Sequence, residues 1–118
     1  MMSLYAMFVA HWLGDFVLQH RWLAENKSKN IVALLLHVSI YTLVLCLAMA
    51  QFFPLEAILI FGLVNAATHG SIDSITSKIT NYFWKKQWIA CFWWTIGFDQ
   101  MLHTCILLLT YRTFLEKV

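Results

Sequence analysis

The stretch LEAILIFGLVNAATHGSIDSITSKIT, residues 55–80, contains the pattern that decides the fold. It is longer than the roughly 20 mostly apolar residues that an α-helix needs to cross a bilayer. Polar side chains recur in it at every fourth position, which places them on one face of a helix. They are Asn65, His69, Asp73 and Ser77. The stretch therefore predicts a transmembrane helix with a polar face.

The composition extends this interpretation to the whole chain. Of its 118 residues 61% are hydrophobic and only 12% are charged, against about 25% charged in soluble domains. Three further apolar runs cover residues 4–23, 31–49 and 88–111, with short polar breaks between them. We therefore predict an all-α fold, in which residues 1–118 form a single integral membrane domain of four transmembrane helices.

The basic residues predict the orientation of this bundle, because cytoplasmic loops are enriched in lysine and arginine. The first and third loops are basic, whereas the second has only Glu56 nearby. Both termini are therefore expected outside the cytoplasm. The net charge of +2 and the absence of a basic stripe argue against a nucleic-acid partner. The basic residues of the two loops are Arg21, Lys27, Lys29, Lys78, Lys85 and Lys86.

Each predicted span carries ionisable residues, and three spans carry a histidine and an aspartate four positions apart. At about 1.5 Å per residue, six of these groups lie roughly 9–18 Å from the cytoplasmic end of their span, and His103 lies roughly 22 Å deep. The overlapping depths predict a cluster in the cytoplasmic half of the bilayer. The groups are His11 and Asp15, His37, His69 and Asp73, and Asp99 and His103.

Ionisable groups at such depth cost several kcal/mol each unless they are paired or hydrated. Imidazole and carboxylate together form a ligand set that suits zinc, manganese or iron. We therefore predict a divalent metal site, with zinc favoured over manganese and iron. Its expected ligands are His11, Asp15, His37, His69, Asp73 and Asp99.

Three motifs resemble those of the domain of unknown function 3307 family of small bacterial and phage integral membrane proteins. They are HWLGDFVLQ at 11–19, THGSIDSITSK at 68–78 and GFDQMLH at 97–103. The resemblance implies an integral membrane location, in the bacterial inner membrane, but no settled activity. The matching positions are His11, Asp15, Gln19, His69, Asp73, Lys78, Asp99, Gln100 and His103.

Three functions fit these residues. The favoured hypothesis is a metal-dependent hydrolase of an amphiphilic or phosphate-bearing substrate, with membrane lipids as its surroundings. Asp99 or His103 would then transfer protons, and Lys78 at the leaflet boundary would engage a phosphate. The second hypothesis is an ion or proton transporter or channel, for which a homo-oligomer is expected because four short helices seldom enclose a pore. The third is a structural or regulatory membrane protein, in which the polar groups only specify helix packing.

Overall fold

The computed structural model describes residues 1–118 and contains helices without strands. Two π-helical turns, Leu13–Val17 and Tyr111–Leu115, continue the first and last of the long helices. The all-α class is therefore confirmed. The α-helices are α1 Met2–Trp12, α2 Arg21–Asn26, α3 Ile31–Met49, α4 Leu55–Lys85 and α5 Ile89–Thr110.

Two of these helices, α3 and α4, are long and apolar enough to cross a membrane. Of the four predicted spans, only residues 31–49 and 55–80 are thus confirmed to be long and apolar enough to cross a membrane. Helix α5 is also long, with 22 residues, but Asp99, Gln100 and His103 lower its mean hydropathy.

The first predicted span is not one continuous helix. The amide of Leu18 donates to the Leu13 carbonyl at 2.8 Å, a bond from i to i−5 that closes a π turn. The chain then bends, and α2 begins where His20 Nδ1 accepts a hydrogen bond from the Trp22 amide at 3.2 Å. A Cβ atom on Gly14 would lie 3.1 Å from Tyr41 Cα. Glycine therefore lets the π turn lie directly against α3.

The bundle has a partly polar interior and a strongly apolar surface. Ten of its 24 buried residues are polar or charged, whereas Leu63 and Trp94 are each 72% exposed. Buried apolar side chains form one core cluster: Met7, Ala10, Tyr41, Leu45, Met49, Ile58, Phe61, Leu107 and Leu115. The polar residues occupy the rest of the interior. This distribution is the reverse of the usual one in a water-soluble domain.

The two ends of the bundle differ in charge. At one end the chain termini approach each other, since Ser3 Oγ lies 2.7 Å from the Tyr111 hydroxyl. At the other end the loop after α2 lies against α4, where Asn81 Nδ2 donates to Ser28 Oγ at 3.4 Å. Both basic loops belong to this second end, which we call the basic end.

The packing of the core cluster predicts different effects for two leucines of α3. Leu45 is fully buried, while Leu47 is 62% exposed on the same helix. We expect Leu45→Ala to lower the free energy of unfolding by about 2–4 kcal/mol, because it leaves a cavity. Leu47→Ala should cost less than about 1 kcal/mol. The loss of helical circular dichroism, as each variant is denatured in detergent micelles, measures both free energies of unfolding. Equal losses of stability in the two variants would contradict the packing described.

Candidate metal centre

Four side chains from three segments converge in the polar half of the bundle. Asp15 comes from the first π turn, His37 from α3, and His69 and Asp73 from consecutive turns of α4. None is more than 3% exposed. One ligand atom of each lies within 4.8 Å of all the others. We call these four residues the inner cluster.

Five distances within the inner cluster are close to those between the ligands of a tetrahedral metal ion. His37 Nε2 lies 3.1 Å from His69 Nε2 and 3.2 Å from both Asp15 Oδ1 and Asp73 Oδ2. His69 Nε2 lies 3.5 and 3.6 Å from the same two oxygens. A tetrahedral zinc ion with bonds of about 2.0–2.1 Å keeps its ligand atoms about 3.3–3.4 Å apart. The inner cluster can therefore hold a metal ion.

Hydrogen bonds alone do not account for this convergence. An imidazole Nε2 carries at most one hydrogen, yet three nitrogen or oxygen atoms surround the Nε2 of His37 and three surround the Nε2 of His69. The Nδ1 atoms of His37 and His69 are buried without a partner. No hydrogen bond at Nδ1 therefore fixes the tautomer of either ring. A cation bound there, or further protons on the rings, would satisfy the lone pairs that meet with too few hydrogens between them.

Asp99 and His103 of α5 lie directly beside the inner cluster. His103 Nε2 is 3.0 Å from Asp73 Oδ1 and 3.4 Å from Asp99 Oδ1, and Thr76 Oγ1 donates to Asp99 Oδ1 at 2.5 Å. The expected greater depth of His103 does not separate it from the site. Side chains lean towards the N-terminus of their helix, which on α5 is the basic end, so the ring reaches Asp73.

His11 lies next to the inner cluster but is not one of its four members. Its Nδ1 is 3.2 Å from the Tyr41 hydroxyl, and its Nε2 is 3.2 Å from Gln100 Oε1. The amide of Gln100 in turn donates to Asp15 Oδ2 at 2.9 Å and to Asp99 Oδ2 at 3.0 Å. The predicted ligand His11 therefore contacts the site through Gln100.

Lys27 is a site residue that the sequence did not reveal. Its ammonium group donates to Asp73 Oδ2 at 2.9 Å and to Gln19 Oε1 at 2.8 Å, and its side chain is only 15% exposed. In the sequence it resembles Lys29, two positions further along the same polar loop. Only the bend before α2 directs the Lys27 side chain into the bundle.

Lys78 lies outside the cluster. It is exposed and lines a separate cavity of about 250 Å³ together with Lys29 and Ser74. Its engagement of a phosphate therefore stays a prediction.

A groove leads from the basic end to the cluster. Its inner part is a cavity of about 240 Å³, where Asp15, Asp99 and Gln100 lie among the apolar side chains Phe16 and Ile96. An outer cavity of about 480 Å³ adjoins it, sharing the lining residues Ala24, Lys27, Ser77, Thr80 and Phe92. We call the two cavities together the access groove.

The chain belongs to the family described as protein of unknown function DUF3307, whose model matches residues 3–118. This confirms the resemblance carried by the three motifs. No curated protein and no solved structure matches the chain.

The placement of Lys27 generates a prediction about stability. The substitution Lys27→Met keeps an apolar side chain of similar length but leaves Asp73 without its ammonium partner. Removing one member of a buried ion pair is strongly destabilising, so we expect a loss of roughly 3–5 kcal/mol in the presence of a chelator. Lys29→Met is the matched control, since Lys29 is exposed. Thermal unfolding in detergent measures both, and an unchanged Lys27→Met protein would argue against the ion pair.

Proposed function

We propose that this member of the family is a membrane-embedded hydrolase that depends on a divalent metal ion, zinc in preference to manganese or iron. The observation that carries the proposal is the convergence of two imidazole nitrogens and two carboxylate oxygens at 3.1–3.6 Å in the inner cluster. Two histidines with two carboxylates are a ligand set that zinc accepts.

The apolar surface supports the membrane location. Helices α3 and α4 are long and apolar enough to span a bilayer, and we propose that α1 with its π turn and α5 complete a four-helix bundle in the bacterial inner membrane. The polar interior agrees with this, since ionisable residues of membrane helices face one another rather than lipid. The basic end would face the cytoplasm, with both termini on the opposite side.

The charge of the site supports a divalent ion. All three aspartates of the chain, Asp15, Asp73 and Asp99, lie in or beside the inner cluster. Lys27 offsets one of their negative charges. With neutral histidines two negative charges are left, which one divalent cation neutralises. Without such a cation, the histidines would have to carry the compensating protons.

A divalent ion held by these four ligands would have to take a water as a fifth ligand. It would then act as a Lewis acid and lower the pKa of that water towards about 7. Asp99 is the carboxylate best placed to accept a proton, because its side chain is 13% exposed and lines the access groove. Lys27 places a positive charge between the two parts of the groove, where it would pair with an anionic group. Phe16, Phe92 and Ile96 would contact an apolar chain.

The one-sided access favours a hydrolase over an ion pathway. The access groove reaches the cluster from the basic end. On the opposite side the fully buried side chains of Leu45, Met49 and Phe61 fill the bundle. A substrate that enters and leaves on one side fits this arrangement, whereas a transmembrane pathway would need a second opening.

The proposal predicts metal-dependent hydrolysis. Untagged protein purified gently in detergent should contain zinc, manganese or iron when measured by mass spectrometry, and should hydrolyse phosphate or acyl esters presented in lipid vesicles. Asp73→Asn should lose the metal and reduce kcat at least about 100-fold, the lower range for loss of a catalytic group. Chelation should abolish turnover, and zinc should restore it.

The matched control for this experiment is His20→Asn. His20 is the one histidine outside the site, and asparagine keeps an acceptor that can cap α2. This variant should retain metal and activity. Protein that holds metal without hydrolysing any ester, but that passes cations into vesicles, would instead establish the transport hypothesis. Protein without metal would overturn the proposal.

The membrane orientation is tested by cysteine labelling. In a protein whose three native cysteines are replaced by serine, Lys85→Cys should react with a membrane-impermeant maleimide only after the cells are opened. Lys117→Cys should react in intact cells whose outer membrane has been permeabilised. The opposite pattern would reverse the orientation, and labelling of both positions in intact cells would contradict a membrane-spanning bundle.

A further inference from the structure

A second group of ligand atoms lies on the α5 side of the inner cluster. Asp15, Asp99 and His103 each place one ligand atom within 4.8 Å of the other two. His103 Nε2 also lies 3.0 Å from Asp73 Oδ1. One imidazole nitrogen and two carboxylate oxygens thus lie together beside the inner cluster, and Asp73 Oδ1 is within reach of the same nitrogen.

The two oxygens of Asp73 face different histidines. Its Oδ2 lies 3.2 Å from His37 Nε2 in the inner cluster, whereas its Oδ1 lies 3.0 Å from His103 Nε2. A carboxylate oriented in this way is placed to bridge two cations. Paired metal ions in hydrolytic enzymes are about 3.5–4 Å apart, a separation that one carboxylate can span.

Asp15 is oriented in the same manner. Its Oδ1 lies 3.2 Å from His37 Nε2, while its Oδ2 accepts a hydrogen bond from Gln100 Nε2 at 2.9 Å. The same amide donates to Asp99 Oδ2 at 3.0 Å. Gln100 therefore holds one oxygen of Asp15 and one of Asp99 together on the side of the second group.

We infer that the chain binds a second divalent cation between Asp99 and His103, with Asp15 and Asp73 bridging it to the first. This inference rests on the proposed function, because the first cation occupies the inner cluster. It changes the role of Asp99, which binds the second cation instead of accepting a proton. The ligands of the two positions come from the π turn, α3, α4 and α5, as in carboxylate-bridged sites of helical bundles.

The charge of such a site points to a class of substrate. Two divalent cations carry four positive charges, of which the three aspartates neutralise three. Lys27 adds one more, so two positive charges remain. A phosphate monoester carries up to two negative charges near neutral pH, whereas an acyl ester carries none. The substrate class that fits is a phosphate monoester with an apolar chain, which the access groove would accommodate.

Manganese provides the test, because its paramagnetism reports on a neighbouring ion. Purified protein freed of metal is titrated with Mn²⁺, bound ions are counted by mass spectrometry, and the electron paramagnetic resonance spectrum is recorded. Wild type should bind two ions and give the spectrum of a coupled pair. Asp99→Asn should bind one ion and give the spectrum of an isolated ion. His20→Asn should behave as wild type.

Each outcome separates the second site from the first. One isolated ion in both wild type and Asp99→Asn overturns the second site and leaves the proposed function standing, with Asp99 as the proton acceptor. Two coupled ions in Asp99→Asn also overturn the assignment. No bound ion in any variant, with Zn²⁺ as well as with Mn²⁺, overturns the proposed function itself. If Asp99→Asn does not fold, as judged by its thermal unfolding, His103→Gln is used in its place, with the same expected loss of one ion.

Discussion

The burial of Asp15 and Asp73 inside a bundle with an apolar surface is the constraint on which the rest of the structure depends. A charged group removed from water must be paired with opposite charge or hydrogen-bonded. Asp73 contacts an ammonium group and three imidazoles, and Asp15 contacts two imidazoles and an amide. The polar interior therefore follows from the placement of the carboxylates, and helix packing must keep their partners within reach.

Helix direction and one local irregularity bring these groups to the same depth. Side chains lean towards the N-terminus of their helix, so the ring of His103 on α5 leans towards the basic end and meets Asp73. The π turn at Leu13–Val17 contains Asp15 and lies against α3 at Gly14. A π turn inserts an extra residue into a helix and is frequent at functional sites. Here it turns Asp15 towards His37.

The sequence predicted that most of these side chains would meet, because a spacing of four has a simple geometric meaning on a helix. His69 and Asp73 lie one turn apart on α4, so their meeting requires only that the helix forms. The overlap in depth between separate spans likewise anticipated the meeting of Asp15 with His37. Hydropathy predicted the helices, although the polar residues of the site weaken that signal in α5. Periodicity alone could not reveal the break after Val17, because a π turn has no distinct composition.

Lys27 shows why the rest of the site could be identified only from the folded structure. A lysine in a polar loop ordinarily lies in water, and Lys29 two positions later does so. What distinguishes Lys27 is the bend that separates α2 from the π turn, since it carries the loop back over the cluster. Its ammonium then lies between the access groove and Asp73, close enough to neutralise the carboxylate. The contact therefore stabilises the buried carboxylate, and it exists only in the folded chain.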